Sequence, residues 1–444
     1  MNRRLIQRIG LGLLGAALAL SAWVVWDNWG DTWLPSSSAP PPSSISTVAD
    51  PGQIERGQYL ARAGNCVACH TARGGVSMAG SRRIDTPFGS VFSSNLTPDM
   101  ATGLGHWTAD DFWQALHHGR SKGGRLLTPA FPYNHTSVIT RSDSDALLAW
   151  LKSLPPVAQA QPAHTLVWPL GTQAALAVWR SLYFKPSPFQ PNPTQTAEWN
   201  RGAYLVQGLG HCAACHSPRN RLGASGPVDD LSGGLIPVVN WYAPDLTRES
   251  ESGLASTPLA DIVQLLRTGH APQAQTSGPM AEVVLQGTQH MSPADLQAMA
   301  VYLKSRNSPP AATAAATSTS PKAAISPRVA EQGLKIYDRH CAQCHGEQGR
   351  GATTAAGLVA YPALAGNRAV LLRDPTNLVQ MVLYGGFGPA TAGHPQPFGM
   401  PPAVLELDDR DIAAVLTHLR TQWGNQASEV TPLQVNRIRA SQGS

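Results

Sequence analysis

One pentapeptide occurs three times in the 444 residues: Cys66-Val67-Ala68-Cys69-His70, Cys212-Ala213-Ala214-Cys215-His216 and Cys341-Ala342-Gln343-Cys344-His345. The spacing C-x-x-C-H carries a specific chemistry. Two thiols one helical turn apart project from the same face and can form thioethers to the two vinyl groups of one porphyrin. The adjacent histidine then offers its imidazole to the iron. A zinc site needs a second ligand pair at defined spacing, and the three motifs leave none, because they use all 6 cysteines of the chain. The pattern implies three covalently bound haems c. Cys66, Cys69, Cys212, Cys215, Cys341 and Cys344 are the attachment residues, and His70, His216 and His345 the proximal iron ligands.

Each iron needs a sixth ligand, and a methionine sulfur raises its potential relative to a second imidazole. Met400, in Phe398-Gly399-Met400-Pro401-Pro402, sits on a loop of fixed backbone between Gly and Pro. Met280, in Ser277-Gly278-Pro279-Met280, has the same setting after His216. Met291, Met299 and Met381 fall at helical spacing, where methionine ordinarily packs. The first motif breaks the pattern. Its loop reads Pro129-Ala130-Phe131-Pro132-Tyr133-Asn134-His135, and Phe131 in the methionine slot cannot ligate. Met78 and Met100 follow His70 too early to cross the ring. His135 is the expected ligand, with a methionine or an open site as the alternatives. His106, His117 and His118 are expected at the surface or against a propionate.

The elements that position these residues repeat with the motifs. The first cysteines of the motifs are separated by 146 and 129 residues (212 − 66 and 341 − 212), enough for one small domain per haem. Only 42% of residues are hydrophobic, and the porphyrin supplies the apolar surface that three small cores lack. Arg56-Gly57-Gln58-Tyr59-Leu60 and Arg201-Gly202-Ala203-Tyr204-Leu205 precede two of the motifs, and AWLKS, VYLKS and THLRT mark the closing helices. Opening and closing helices are expected to cross at Gly57, Gly202 and Gly333, against Trp150, Tyr302 and His418. The fold class is therefore all-α: three tandem class I cytochrome c domains behind an N-terminal membrane anchor or signal.

Motif spacing and composition together divide the chain. Residues 1–34 form the signal or anchor and 35–50 a Pro/Ser linker. The first domain covers 51–155, a connection 156–196, the second domain 197–307, a flexible linker 308–327, the third domain 328–425 and a C-terminal tail 426–444. Arg3, Arg4 and Arg8 precede the uncharged run Ile9–Trp26, with Trp23, Trp26, Trp29 and Trp33 at its outer end. A positive flank before an apolar run keeps its start in the cytoplasm and sends the haem domains across the inner membrane. A retained anchor is favoured over a cleaved signal, since signal cores are shorter. The 156–196 connection holds an apolar stretch, Leu166 to Phe184, for which two uses stay open: contact with the membrane or a partner subunit, or packing of the first domain on the second. The formal charge of +5 is no nucleic-acid signal, because three haems add about six propionate charges.

Over nearly its whole length the chain resembles the tri-haem cytochrome c subunits of membrane-bound bacterial dehydrogenases, the alcohol, gluconate and aldehyde oxidising complexes. The matching stretches are TPFGSVFSSNLTPD from Thr86, TGLGHWTADDFWQALHHG from Thr102, RGAYLVQGLGHCAACHSPRN from Arg201, SGPMAEVV from Ser277 and YPALAGN from Tyr361. PAFPYNH resembles, more narrowly, the cytochrome partners of molybdenum hydroxylases, whereas the alcohol and gluconate branch more often has PAMPY. The resemblance implies an electron-transfer subunit on the periplasmic side. It would take electrons from a dehydrogenase subunit, with molybdopterin and 2Fe-2S partners favoured over flavin or pyrroloquinoline quinone, and deliver them to ubiquinone or a terminal oxidase. No substrate-oxidising site is expected on the chain itself. The rival is a haem enzyme of the peroxidase or nitrite-reductase type, with an open iron at the first haem.

Overall fold

The computed structural model describes residues 3–33, 50–307 and 325–441. The Pro35–Ser46 spacer and residues 308–324 of the second linker lie outside them. Among the described residues, eleven helices reach ten residues or more; besides Ala109–His118 and Leu259–Thr268 they are α1 (Arg3–Trp33), α2 (Pro51–Ala63), α3 (Arg141–Ser153), α4 (Gln173–Tyr183), α5 (Ala197–Gln207), α6 (Pro293–Arg306), α7 (Pro327–His340), α8 (Asp409–Thr421) and α9 (Pro432–Ser441). Shorter helices and five two-stranded antiparallel ribbons fill the loops between them. The all-α expectation thus omits the ribbons, which are two to four residues per strand and too short to show a period in sequence.

Three helix pairs cross at glycine. A methyl group on Gly57 of α2 would overlap the Ala146 carbonyl of α3 and stand 2.8 Å from the Trp150 Cβ. One on Gly202 of α5 would overlap the Ala298 carbonyl of α6, 2.9 Å from the Tyr302 Cβ. One on Gly333 of α7 would meet Ala414 of α8, 2.9 Å from the His418 Cβ. The residue before each glycine locks the crossing to an aspartate in the closing helix's first turn. Arg56 bonds Asp143, Arg201 makes a fork of two 2.8 Å bonds to Asp295, and Gln332 bonds Asp411 at 2.7 Å. Each aspartate is also held by its cap: Thr140, Ser292 and Asp408 side chains accept the backbone N–H of Asp143, Asp295 and Asp411.

The chain divides into two compact units, Met1–Gln58 with Cys69–Phe189, and Tyr59–Ala68 with Gln190–Ser444. In the first, the inward face of α4, in the 156–196 connection, packs on α1. Val24, Leu126, Leu176 and Ala177 form a small buried cluster with Trp29 against it. Asn28 of α1 donates to the Ala177 carbonyl at 3.0 Å and the Ser181 hydroxyl at 2.9 Å, and accepts from Arg180 Nε at 2.9 Å. Arg180 also reaches the His118 carbonyl and lies over the Tyr133 ring.

In the second unit the Tyr59 hydroxyl donates to Asp295, and Gly64 O lies 3.3 Å from His211 Nε2, which explains why that stretch groups there. Residues 426–444, read as a tail, contain α9, whose Val435 and Ile438 enter the core of α7 and α8. Arg439 fastens it through Asp409 and the Val404 and Leu407 carbonyls. Arg420 of α8 is fully buried and donates to the carbonyls of Ser428, Val370 and Leu372 at 2.7–2.8 Å. Replacing it by methionine strips three carbonyls of their donor. Arg420→Met should cost about 3 kcal/mol or more, read as a lower urea midpoint at unchanged slope.

Candidate haem-attachment sites

Each motif forms a short helical turn, Cys66–His70, Ala213–His216 and Ala342–His345, directly after α2, α5 and α7. Cys212 and Cys341 are the N-caps of their turns, so the two cysteines, three residues apart, and the histidine of each motif lie within about one turn. None of the six cysteines is in a disulfide. Burial and the neighbouring Cys215 push the Cys212 thiol up to about 12, and burial with Cys344 pushes Cys341 up to about 11. A disulfide-exchanging C-x-x-C pair needs the opposite, a thiol depressed toward neutrality.

The histidines are pinned twice. His70 Nδ1 donates to Ser94 O at 2.8 Å, His216 Nδ1 to Pro244 O at 2.8 Å and His345 Nδ1 to Pro362 O at 2.9 Å. A proton fixed on Nδ1 leaves the Nε2 lone pair for a metal, the usual outer-shell arrangement of a ligating imidazole. Burial lowers the pKa of all three rings, against the opposing carbonyl bond, so each stays neutral and able to ligate. The backbone is held as well: the carbonyls of His70, His216 and His345 accept the N–H of Gly80, Gly233 and Gly351 at 2.7–2.8 Å. These glycines have φ of 76°, 78° and 68°. A side chain there would meet Ser94 and Asn95, Asp245, or Tyr361 and Pro362, the residues at the ring's own acceptor. Ring acceptor and backbone donor therefore belong to one knot. Asx turns brace it at two sites, Asn95 Oδ1 accepting from Thr97 and Asp245 Oδ1 from Thr247.

Sequence reasoning missed this knot. Any residue can supply a carbonyl, and the acceptors lie 24, 28 and 17 residues past their histidines. The available signal was the repeat SNLT at Ser94 and PDLT at Pro244, which marks the loop without revealing its purpose.

The candidate sixth ligands occupy different kinds of element. Met280 is in the first turn of the helix Pro279–Gln286, entered through Gly278 with φ of 53°. Met400 pairs with Gly386 in a two-stranded ribbon. Both are half-buried, whereas Met291 and Met299 are buried in packing positions. At the first motif, Met100 is 58% exposed. Met78 is buried beside His70's own loop, its N–H on Thr71 Oγ1 and its carbonyl accepting from Leu96. Phe131 is half-buried and His135 fully buried in the turn Tyr133–Thr136. Thr136 donates to the Leu116 carbonyl as Thr288 does to that of Leu266. By that equivalence His135 stands at the step of Gly287, seven residues past Met280. His117, expected at the surface or against a propionate, is buried and stacked on Trp113 with ring centroids 4.2 Å apart.

A second pair of rings was not foreseen. His270 and His394 are buried 5.0 Å apart, and His394 Nε2 donates to Val359 O at 2.6 Å. Burial, then the neighbouring His394, lowers His270 to about 4. The folded pKa lies below the ordinary 6.5, so the unfolded chain binds the extra proton between the two values. Stability is intact above pH 6.5 and is lost as pH falls toward about 4. His270→Leu should flatten that loss, seen by comparing denaturant midpoints at pH 7 and pH 5.

The sequence pattern of the Cytochrome c family matches residues 54–155 and 330–423. The chain is 38% identical over 404 residues to the alcohol dehydrogenase (quinone) cytochrome c subunit of Gluconacetobacter polyoxogenes, covering 88% of this chain and 85% of that one. It is 38% identical to the gluconate 2-dehydrogenase cytochrome c subunit of Pantoea cypripedii, covering 88% and 90%. Identity to a nicotinate dehydrogenase subunit of Pseudomonas putida is 35%, covering 96% of this chain but 35% of that protein.

Proposed function

The chain belongs to the cytochrome c subunits of bacterial membrane dehydrogenases, and from that premise we propose that it carries three covalent haems c, one on each C-x-x-C-H motif and each in its own domain. It is an electron-transfer subunit. The observation that carries the count is the recurrence, at all three motifs, of a histidine pinned by a carbonyl at Nδ1 and by a glycine N–H at its own carbonyl. Covalent haem c supplies a one-electron centre when bound. The protein's part is to hold each imidazole neutral and aimed, to surround the ring with apolar side chains, and to set the potential through the sixth ligand. Met280 and Met400 are the proposed sulfur ligands of the second and third haems, and His135 the proposed ligand of the first.

The partner proposed here is an alcohol- or sugar-oxidising dehydrogenase using flavin or pyrroloquinoline quinone. This corrects the molybdenum branch favoured by PAFPYNH. The relatives matched along most of their own length include alcohol, gluconate and fructose dehydrogenase cytochrome subunits, whereas the nicotinate protein is matched over about a third of its length. Phe131 bears on the sixth ligand of one haem and says nothing of the partner's cofactor. Electrons would leave to ubiquinone or a terminal oxidase, with α1 a retained anchor and the haems on the periplasmic side. The span Gln7–Gly30 is apolar and, at 1.5 Å per residue, about 35 Å long, against a hydrocarbon core of about 30 Å.

Purifying the native membrane complex through this subunit tests the reading. Flavin or pyrroloquinoline quinone, no molybdenum, and three haems per chain by pyridine haemochrome are the expected result. Molybdenum with iron in excess of the haems would restore the hydroxylase branch.

A further inference from the structure

We propose that α4, with the turn Val167–Leu170 before it, is a second membrane contact, lying in the outer lipid interface beside α1. The proposal rests on the reading of α1 as a retained span. The inward face of α4 is spent on packing: Leu176, Ala177, Arg180 and Ser181 are buried. Its outward face carries Val178 and Leu182, 47% and 56% exposed, with Ala174 and Tyr183 also exposed. The only charged residue among the eleven of α4 is Arg180, and it points inward to Asn28. A surface helix in water sets charged side chains on its outer face, and a protein interface has a polar rim. This face has neither.

The preceding turn is equally apolar and is not a loose loop. Thr165 and Val167 donate to Ser90 O and Phe88 O at 2.9 Å, adding an edge to the ribbon Arg83–Thr86/Gly89–Phe92. Trp168, 83% exposed, is thereby held outward on a built edge. Position selects the occupant. α4 meets α1 at Val24, Asn28 and Trp29, the last turns of the span Gln7–Gly30, where the exposed Trp23 and Trp26 also sit. A helix at that depth, with an uncharged outer face, meets lipid headgroups and the first acyl carbons. Lipid is the chemistry that fits.

The test places a benzoylphenylalanine photoprobe at Trp168 or Leu182 in the full chain, in native membranes, with probes at Leu14 of α1 and at Leu405 of the second unit for comparison. Illumination followed by mass spectrometry should find phospholipid adducts at 168 and 182 near the level of Leu14, and roughly tenfold above Leu405. Lipid adducts at Leu14 but not at 168 and 182 would overturn this proposal and leave the anchor standing. Absence at Leu14 as well would sink the anchor reading. Crosslinks from 168 or 182 to a dehydrogenase polypeptide would make the face a protein interface and overturn the lipid assignment. If a probe at 168 lowers haem content, Val178 on the same outer face gives the same readout.

Discussion

Gly202→Ala should break the crossing of α5 and α6 at a cost of about 3 kcal/mol or more, the upper end of what overpacking does. The added methyl would occupy the position of the Ala298 carbonyl oxygen and crowd the Tyr302 Cβ at 2.9 Å. Neither neighbour is the mobile end of a side chain, so two helix backbones must separate. Separation also pulls apart the Arg201–Asp295 fork and moves Tyr302, whose hydroxyl accepts from Gln207. Cys212 comes within five residues of the end of α5, so a displaced α5 displaces a haem attachment point. The expected readout is a lowered denaturant midpoint together with under-filled haem, about one in three lost. Gly393→Ala is the control. It lies in the same unit, and its nearest neighbour would be Thr268 Cγ2 at 3.7 Å, so a change within about 0.5 kcal/mol is expected. Equal stability of the two variants would show that α5 and α6 can part without loss, and the crossing would not be the organising contact it is taken to be.

Legibility in the sequence depends on the range of each interaction. A cysteine pair and its histidine are contiguous, and their chemistry is complete within five residues. The crossing glycines are also legible, because close approach of two helices excludes every side chain and the repeats RGQYL and RGAYL register them. The histidine knot is different in kind. Its acceptors are backbone atoms, which no residue type announces, and Gly80, Gly233 and Gly351 come 10, 17 and 6 residues after their histidines, so no fixed spacing connects them. The docking of α4 on α1 joins Asn28 to Arg180 across 152 residues, and each of those residues alone reads as an ordinary polar side chain. α9 failed to register because only Val435 and Ile438 are buried, and the rest of its hold is polar: Arg439 on two carbonyls and Asp409, Asn436 on Asp409, and Ser441 accepting from Asn240. Two apolar residues make no period.

Phe131→Met should raise the potential of the first haem and displace whatever now ligates it, because Phe131 stands in the PAFPYNH loop where the sequence pattern expects a methionine. A thioether in place of an imidazole raises a haem potential, and the expected change is on the order of 0.1–0.3 V within the roughly 0.8 V that axial ligation spans. The wild-type chain should then titrate as one low and two higher potentials, with the low one assigned by its loss in the variant. His135→Ala is the paired experiment. With His135 as the ligand, its removal leaves one haem in three high-spin and open to carbon monoxide, and the double variant with Phe131→Met becomes low-spin again at the higher potential. The site gives this pair its force. His135 is fully buried but stands at the step of Gly287, while Met78 is committed to the His70 side and Met100 is exposed. A first haem that stays low-spin and low in potential in His135→Ala removes His135 from the iron. A wild-type first haem that already binds carbon monoxide means an open iron, and the chain then has the one feature a haem enzyme requires and a pure electron carrier lacks.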